Sequence, residues 1–324
     1  TIKWKPFKIL INNLAQLNAI CHMLLLGIDI GTSFIKVAVI DGISQKCIAA
    51  AQYPDLERQI ISTSPDFAEQ SPEQWWDDVK MAVRKLNGLR LFDPKDIGAI
   101  GISYQMHGLV CVDKNNQLLR NSIIWCDSRA VNIGNKAFKD IGEQKCLSHL
   151  LNSPGNFTAS KLKWVMDTGP ECYEKIAKVM LPGDYISMKL TGESGTTLPA
   201  LSEGMFWDFK NKELSKDIFN YFGFDQSLIP QIKNVFSEHG RLSADVANEL
   251  SLTADIPVSY KAGDQPNNGL SLNVMNPGEV AATAGTSGVI YGITDQCSYD
   301  TLSRVNNFAH VNHTNQSTRI GTLL

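Results

Sequence analysis

The pattern of hydrophobic and polar residues predicts layers of α-helices and β-strands. Two apolar runs, Met23 to Ile28 and Phe34 to Ile40, flank a turn that contains Gly31, and this arrangement predicts a β-hairpin. Residues 71–88 have apolar positions at helical spacing, after a serine and a proline that suit the start of a helix. Such segments alternate along most of the chain, which is typical of an α/β fold.

Further elements follow from the same pattern. Strands are predicted at 43–53, 97–103 and 256–262, a strand followed by a helix at 179–192, a second hairpin from 109 past 118, and helices at 160–167, 170–178 and 217–222.

The Gly-Thr-Ser turn of the first hairpin recurs near the other end of the chain. Residues 279–291 repeat the order strand, turn, strand, with the turn at Gly285, Thr286 and Ser287. The hydroxyl and backbone N–H groups of such turns suit phosphate oxygens, and Asp29 beside the first turn suits Mg²⁺ held through water. One such turn fits an ordinary surface hairpin equally well. Two such turns in one chain predict a duplicated architecture, in which the two halves face each other across a nucleotide.

Composition narrows the class of protein. The 324 residues are 43% hydrophobic and 19% charged, and the net charge of −3 indicates neither a nucleic-acid nor an anionic-membrane partner. Seven scattered cysteines are typical of reduced cytoplasmic thiols. No apolar run reaches the ~18 residues that a membrane span needs. The composition indicates a soluble cytoplasmic protein with room for two domains.

We expect three segments. Polar residues interrupt residues 1–22, which we interpret as an extension outside the fold, with Met23 resembling a natural start. Residues 23–275 hold enough strands and helices for one domain. Residues 276–324 hold the second hairpin and then polar sequence, too little to bury a core, so they predict the beginning of a second domain.

One cluster of polar residues follows the strand predicted at 97–103. Ligands of α/β sheets bind beyond the carboxyl ends of strands, so Gln105 and His107 are placed to bond a polar substrate. Gly108 allows the backbone to come close to it. A lone histidine is more often a surface residue or a core residue whose hydrogen bonds are satisfied within the protein. His107 by itself is therefore weak evidence for a binding site.

A second cluster ends the apolar run near residue 123. Trp125 offers a flat wall, and Asp127 and Arg129 offer acceptors and donors for hydroxyl groups. A simple ion pair at the end of a strand fits these two charges equally well.

A third cluster follows the strand predicted at 256–262. Asp264 emerges from this strand next to Gly263 and is followed by Gln265 and other amides, as expected of an acid held at a cleft. A helix cap explains Asp264 equally well. The P-loop pattern, Gly-x-x-x-x-Gly-Lys-Ser/Thr, is absent from the sequence.

Taken together, these motifs resemble the FGGY carbohydrate kinases. The motifs that carry the resemblance appear in order at 27–33, 105–108, 125–129, 181–185, 262–265 and 284–288. The family has the actin-like ATPase fold, which is ribonuclease H-like, with two domains built on a βββαβαβα core. The resemblance therefore implies a complete N-terminal domain here and the beginning of a second, similar one.

The resemblance also implies a role for each residue of the motifs. It implies that Asp264 is the catalytic base. It implies that phosphate is bound by Asp29, Gly31, Thr32, Ser33, Lys36, Gly285, Thr286 and Ser287. It implies that the sugar is bound by Gln105, Met106, His107, Gly108, Trp125, Asp127, Arg129 and Gln265. Mg²⁺ would be held by Asp29 and Asp264 through water.

The implied reaction is transfer of the ATP γ-phosphoryl group to a sugar hydroxyl. Residues 105–108 look most like those of xylulose kinases, which implies D-xylulose, ATP and Mg²⁺ as ligands, and a homodimer is a further expectation. An aspartate base with an ordinary pKa near ~3.9 would already be ionised at neutral pH. Gln265 departs from the asparagine of many xylulose kinases, which leaves glycerol, gluconate, fuculose and ribulose open as substrates. A sugar-binding fragment without turnover and a chaperone or cytoskeletal ATPase of the same fold are the other interpretations.

Overall fold

The computed structural model describes residues 23–284 and 288–324. The extension expected at 1–22 and the second Gly-Thr-Ser turn lie outside these ranges.

The described residues alternate between strands and helices. The strands are β1 (Leu24–Ile30), β2 (Ile35–Asp41), β3 (Cys47–Tyr53), β4 (Glu69–Gln70), β5 (Ile97–Tyr104), β6 (Val110–Val112), β7 (Ser122–Ile123), β8 (Lys178–Met180), β9 (Gly195–Thr197), β10 (Trp207–Asp208), β11 (Glu213–Leu214), β12 (Gln231–Lys233), β13 (Val258–Gly263), β14 (Val280–Ala284), β15 (Gly288–Thr294), β16 (Asn306–Ala309) and β17 (Ile320–Leu323). The α-helices are α1 (Pro72–Gly88), α2 (Val131–Ile141), α3 (Glu143–Leu150), α4 (Thr158–Thr168), α5 (Pro170–Tyr173), α6 (Pro182–Thr191), α7 (Leu198–Glu203), α8 (Lys216–Phe222), α9 (Ala244–Leu250) and α10 (Asp264–Ser271). Short 3₁₀ helices span Pro94–Asp96 and Gln226–Leu228.

The central sheet has the strand order β13-β5-β1-β2-β3. Strands β1, β2 and β3 form an antiparallel meander, whereas β5 and β13 run parallel to β1. With α1, α6 and α10 placed after β3, β5 and β13, the chain follows the expected βββαβαβα order, interrupted by insertions.

One face of this sheet is covered by helices. Alternate residues of β1, among them Leu26 and Ile28, are buried against α1, α6 and α9. Ser71 caps α1 as expected, its hydroxyl accepting the backbone N–H of Gln74. Burial of each large aliphatic side chain contributes about 1.5–3 kcal/mol. The opposite face of β1 remains half-exposed and is therefore available to a ligand.

A second hydrophobic cluster joins the insertions to the C-terminal residues. Residues 288–324 contribute β15, β16 and β17 to a four-stranded antiparallel sheet with β14. Phe308 and Ala309 of β16 pack in the same cluster as Leu201 and Phe206. The boundary between 275 and 276 stays a prediction.

Several predicted elements need correction. The second hairpin is present but irregular, with single bridges at Val112–Leu118 and Leu109–Ile123, and β6 pairs in addition with the distant β8. The helix predicted at 170–178 ends at Tyr173, and β8 begins at Lys178. The third strand begins at Cys47 rather than at 43. The polar C-terminal stretch contains β16 and β17, which pair with each other, and β17 also pairs with β15.

Candidate active site

Three of the predicted motifs leave neighbouring parallel strands at the same edge of the sheet. Ile30 at the end of β1 lies opposite Tyr104 at the end of β5, and Tyr104 lies opposite Gly263 at the end of β13. The residues that follow these strands therefore share one edge. This edge is the carboxyl end of the parallel strands, where ligands of α/β sheets bind.

The first hairpin presents a tight turn at this edge. The Gly31 N–H donates to the Phe34 carbonyl oxygen at 3.2 Å. A Cβ atom on residue 31 would lie 2.8 Å from that oxygen, so the close approach of the backbone, rather than a positive φ, requires glycine here. Lys36 lies opposite Asp29 on the hairpin, with its Nζ 3.9 Å from Asp29 Oδ2. Both side chains face the open side of the sheet.

Thr32 connects the phosphate motif to the sugar motifs. Its hydroxyl donates to Gln105 Oε1 at 3.0 Å and accepts the indole N–H of Trp125 at 3.0 Å. Ser33, by contrast, is bonded to Glu57 at the surface. The structure therefore brings together two groups of residues that the sequence analysis assigned to different ligands.

Asp264 is the first residue of α10, and Gly263, not Asp264, is the N-cap residue. Burial and the neighbouring carboxylate of Asp29 raise the pKa of Asp264 to about 6, against the opposing effect of backbone N–H groups at the start of the helix. The ordinary pKa assumed from the sequence is therefore corrected. Asp29 is near enough to Asp264 for its charge to act on that carboxyl group.

A cleft of about 760 Å³ opens on the exposed face of the sheet beside these residues. Its polar end includes Asp29, Lys36 and Asn267. Its floor is made of small residues on neighbouring strands, among them Gly27 and Gly101. The volume lies within the usual range of small-molecule sites.

His107 has a constrained position after β5. Its φ of 60° is uncommon for a residue other than glycine, and its ring packs in a triangular cluster with Phe157 and Phe308, at centroid distances of 4.8 and 5.1 Å. The Lys161 ammonium group donates to its carbonyl oxygen at 2.8 Å. Burial, assisted by the charge of Lys161, lowers the pKa of His107 to about 3, so its imidazole is neutral at pH 7.

Asp127 and Arg129 form a buried ion pair. The Arg129 Nε donates to Asp127 Oδ2 at 2.8 Å, its Nη1 donates to Glu69 Oε1 at 2.7 Å, and Asp127 also accepts the Ala68 N–H. Phe67 stacks on the guanidinium group at 3.6 Å. The two charged side chains therefore bind each other, while Trp125 nearby remains exposed.

The other predicted sugar-binding residues occupy different environments. Met106 is buried, and Gly108 packs so closely on Pro182 that a Cβ atom would lie 2.7 Å from the proline ring. Gln265 is half-buried in the first turn of α10. Strands β14 and β15 flank the second Gly-Thr-Ser turn and confirm the predicted hairpin, but the turn itself lies outside the described residues.

Sequence reasoning missed three polar residues at this site. Gln70 donates to the Thr32 carbonyl oxygen and accepts the side-chain N–H of Gln105. Lys161 is buried below the loops that carry His107 and Trp125, with burial lowering its pKa to about 7. Glu203 is buried behind His107. One signal was present, because Glu203 is an acid within the largely apolar stretch 198–207.

Comparison with known proteins decides the family. The model of the N-terminal domain of the FGGY family of carbohydrate kinases matches residues 24–270. The chain belongs to the FGGY family. The expected actin-like ATPase fold is thereby confirmed, because three solved kinases superpose on the chain with TM-scores of 0.82 to 0.83.

Several FGGY kinases are similar to this chain. The xylulose kinase of Bacillus subtilis (strain 168) is 29% identical over 291 residues, which make up 88% of this chain and 56% of that protein. The crystal structure of a xyloylose kinase from Brucella ovis has a TM-score of 0.82 and 29% identity, covering 93% of this chain and 60% of the other. A gluconate kinase from Lactobacillus acidophilus has a TM-score of 0.83, covering 93% of this chain and 59% of the other, but at 23% identity it shows the fold alone. The chain spans a little over half the length of the curated relatives that it matches.

Proposed function

We propose that this chain carries the sugar-binding and catalytic part of an ATP-dependent kinase that phosphorylates D-xylulose to D-xylulose 5-phosphate. The observation that carries the proposal is the shared edge of β1, β5 and β13, from which the phosphate turn, the sugar motif and Asp264 all project. The similarity to xylulose kinases supports D-xylulose as the sugar.

In the proposed reaction, Asp264 is the base. Its carboxylate accepts the proton of the attacking sugar hydroxyl, whose oxygen forms a bond to the γ-phosphorus of ATP. The bond from the γ-phosphorus to the β,γ-bridging oxygen breaks, and ADP leaves with that electron pair. With a pKa of about 6, Asp264 is largely ionised at pH 7 and is a stronger base than an ordinary aspartate.

Asp29 and Asp264 suit Mg²⁺. Their carboxylates are oxygen ligands of the kind that Mg²⁺ prefers, and a cation would offset the repulsion that contributes to the raised pKa of Asp264. Bound Mg²⁺ would neutralise charge on the phosphate oxygens. Lys36, beside Asp29, places a further positive charge at the phosphate end of the cleft. Gly31 and Thr32, together with the second turn, are the proposed backbone cradle for phosphate.

We propose that Gln105, His107 and Trp125 orient the sugar. The bonds of Thr32 to Gln105 and Trp125 tie the sugar motif to the phosphate turn, so a bound sugar hydroxyl would be aligned with the transferred group. Met106, Gly108 and Gln265 complete the proposed surface. Asp127 and Arg129 would act on the sugar through the position of this loop, because their charges already pair.

The cytoplasm is the proposed location. The cysteines of the described residues are all free, which suits a reducing compartment. Among the helices described here, none is both long and apolar enough to cross a bilayer. Formation of a homodimer stays a prediction.

The test compares Asp264→Asn with the wild type, both in the full-length protein. We expect the variant to bind D-xylulose normally in a calorimetric titration but to lose about 10²–10⁴-fold in transfer of radiolabelled γ-phosphate from ATP. Asp245→Asn, an exposed change in the first turn of α9, is the matched control and should keep the wild-type rate.

A substrate panel tests the sugar. D-xylulose should be phosphorylated in preference to glycerol, D-gluconate, L-fuculose and L-ribulose. If the protein instead prefers D-gluconate, the proposed substrate is wrong and gluconate, the substrate in the name of the Lactobacillus acidophilus kinase, takes its place. A full-length Asp264→Asn protein with the wild-type rate, or a full-length wild-type protein that phosphorylates none of the five, would overturn the proposal.

A further inference from the structure

Glu203 is a buried acid with an unused oxygen. It is the last residue of α7, and only 1% of its surface is exposed. Its Oε1 accepts the Tyr104 hydroxyl at 3.0 Å, but its Oε2 has no hydrogen-bond partner in the described part of the chain. A buried carboxyl oxygen without a partner destabilises the folded protein, which calls for an explanation.

His107 has the matching unused nitrogen. Its Nδ1 is buried without a hydrogen-bond partner among the described residues and lies 3.9 Å from Glu203 Oε2. The distance is about 1 Å longer than a hydrogen bond. Because Nδ1 is inaccessible, the exposed part of the side chain lies elsewhere on the ring. Two unsatisfied polar atoms therefore face each other behind the sugar motif.

The environment favours an uncharged pair. Burial raises the pKa of Glu203 well above its ordinary value, with the carboxylates of Asp264 and Asp184 acting in the same direction and the Tyr104 hydroxyl and the His107 backbone opposing it. Burial and the charge of Lys161 lower the pKa of His107 to about 3, against the opposing effect of the Glu203 backbone. A protonated carboxyl group is a hydrogen-bond donor, and a neutral imidazole has one acceptor and one donor nitrogen.

We propose that Glu203 is a positioning residue, which donates a hydrogen bond from its carboxyl group to Nδ1 of His107 and so keeps the histidine proton on Nε2. This inference rests on the proposed function, in which His107 contacts the sugar. Nε2–H is then a fixed donor toward a sugar oxygen. The hydrogen bond requires the two side chains to approach each other by about 1 Å, with or without the sugar.

The contacts of both residues support this role. Phe157 and Phe308 both pack against the imidazole, and Lys161 holds the His107 backbone, so movement of the ring is restricted. Tyr104 fixes the other oxygen of Glu203. Asp264 follows Gly263, where a Cβ atom would lie 3.2 Å from Glu203 Oε2, so the pair adjoins the proposed catalytic base.

The first measurement is the tautomer of His107 by ¹⁵N NMR, with His107→Gln used to assign the signal. We expect the wild-type protein and Glu203→Gln to carry the proton on Nε2, because the glutamine amide can also donate to Nδ1. Glu203→Met, which has no donor, should lose this preference. A wild-type protein with its proton on Nδ1 would overturn the inference. This measurement needs no sugar, so it is independent of the proposed substrate.

The second measurement is the dissociation constant for D-xylulose. Loss of one hydrogen bond should weaken binding roughly 3- to 10-fold in Glu203→Met, with Glu203→Gln near the wild-type value. Glu171→Met, an exposed change in α5, is the matched control. Circular dichroism tests whether each variant is folded. If Glu203→Met does not fold, the tautomers of His107 in the wild type and in Glu203→Gln test the inference.

Unchanged affinity in a folded Glu203→Met protein would contradict the positioning role. Absence of D-xylulose binding by the wild-type chain would instead contradict the proposed function, while the tautomer would still test the pairing of Glu203 with His107.

Discussion

At the scale of single residues, the proposed site depends on charges that are held close together and partly buried. Asp264 lies at the start of α10, with the carboxylate of Asp29 near it. Burial is the larger cause of its raised pKa and Asp29 the second. An aspartate in this setting releases its proton only as the pH rises through about 6. The rate of a reaction that requires the ionised form should therefore decrease as the pH falls below about 6.

We expect Asp29→Asn to lower the pKa of Asp264 toward, but not to, its ordinary value. Removal of the negative charge eliminates the second cause and leaves burial in place. The measurement is the ¹³C chemical shift of the Asp264 carboxyl group as a function of pH, without nucleotide or Mg²⁺. Asp96→Asn, an exposed change, is the control. An unchanged titration in Asp29→Asn would show that the two carboxylates do not interact.

At the scale of elements, glycines allow helices to approach the sheet closely. Gly183 in the first turn of α6 packs directly on the ring of Tyr104 at the end of β5, where a Cβ atom would overlap the ring. Tyr104 in turn bonds Glu203, so this contact supports the sugar motif. A second close contact joins Gly269 of α10 to Tyr291 of β15.

Gly183→Ala should therefore destabilise the protein by about 1–3 kcal/mol, because the added methyl group forces Tyr104 to move. The measurement is the free energy of unfolding in urea. Gly88→Ala is the matched control, since a Cβ atom at that position has no neighbour within 4 Å. Equal unfolding midpoints for the two variants would mean that α6 adapts without strain.

The helices and strands that could be predicted are those whose signal is local. The first hairpin, α1, β5, α6 and β13 were predicted from apolar spacing, capping residues and glycine stops, and the structure confirms them. The pairing of β6 with β8 could not be predicted. The sequence pattern shows which face of a strand is apolar, but it does not show which distant strand will form hydrogen bonds with the backbone of that strand.

At the scale of the whole molecule, burial of histidines couples stability to pH. His239, which is 1% exposed, bonds the Val235 carbonyl oxygen at 3.0 Å, and its backbone N–H donates to Val258 of β13. Burial, with a contribution from Lys261, lowers its pKa to about 4. Between an unfolded pKa of about 6.5 and this value, the unfolded chain binds a proton that the folded protein does not. Stability due to His239 is therefore lost as the pH falls through that window.

His239→Gln should remove this part of the pH dependence. We expect the difference in unfolding free energy, wild type minus variant, to fall by up to about 1.4 kcal/mol per pH unit between roughly pH 6.5 and 4. Urea denaturation at a series of pH values measures it. Asn234→Gln, an exposed change in the same loop, should follow the wild type. A difference that is constant with pH would show that His239 titrates alike in both states.

The sequence by itself determined the local features of this protein: the hairpin with its glycine turn, the strand ends that carry Gln105 and Asp264, and the motifs of the FGGY family. These features depend on residues close together in the chain, so their spacing is enough to reveal them. Only the tertiary structure decided that Asp127 is neutralised in a buried ion pair, that Asp29 raises the pKa of Asp264, and that Glu203 faces His107. Distance and burial set these properties, and both arise when residues far apart in the chain pack against each other.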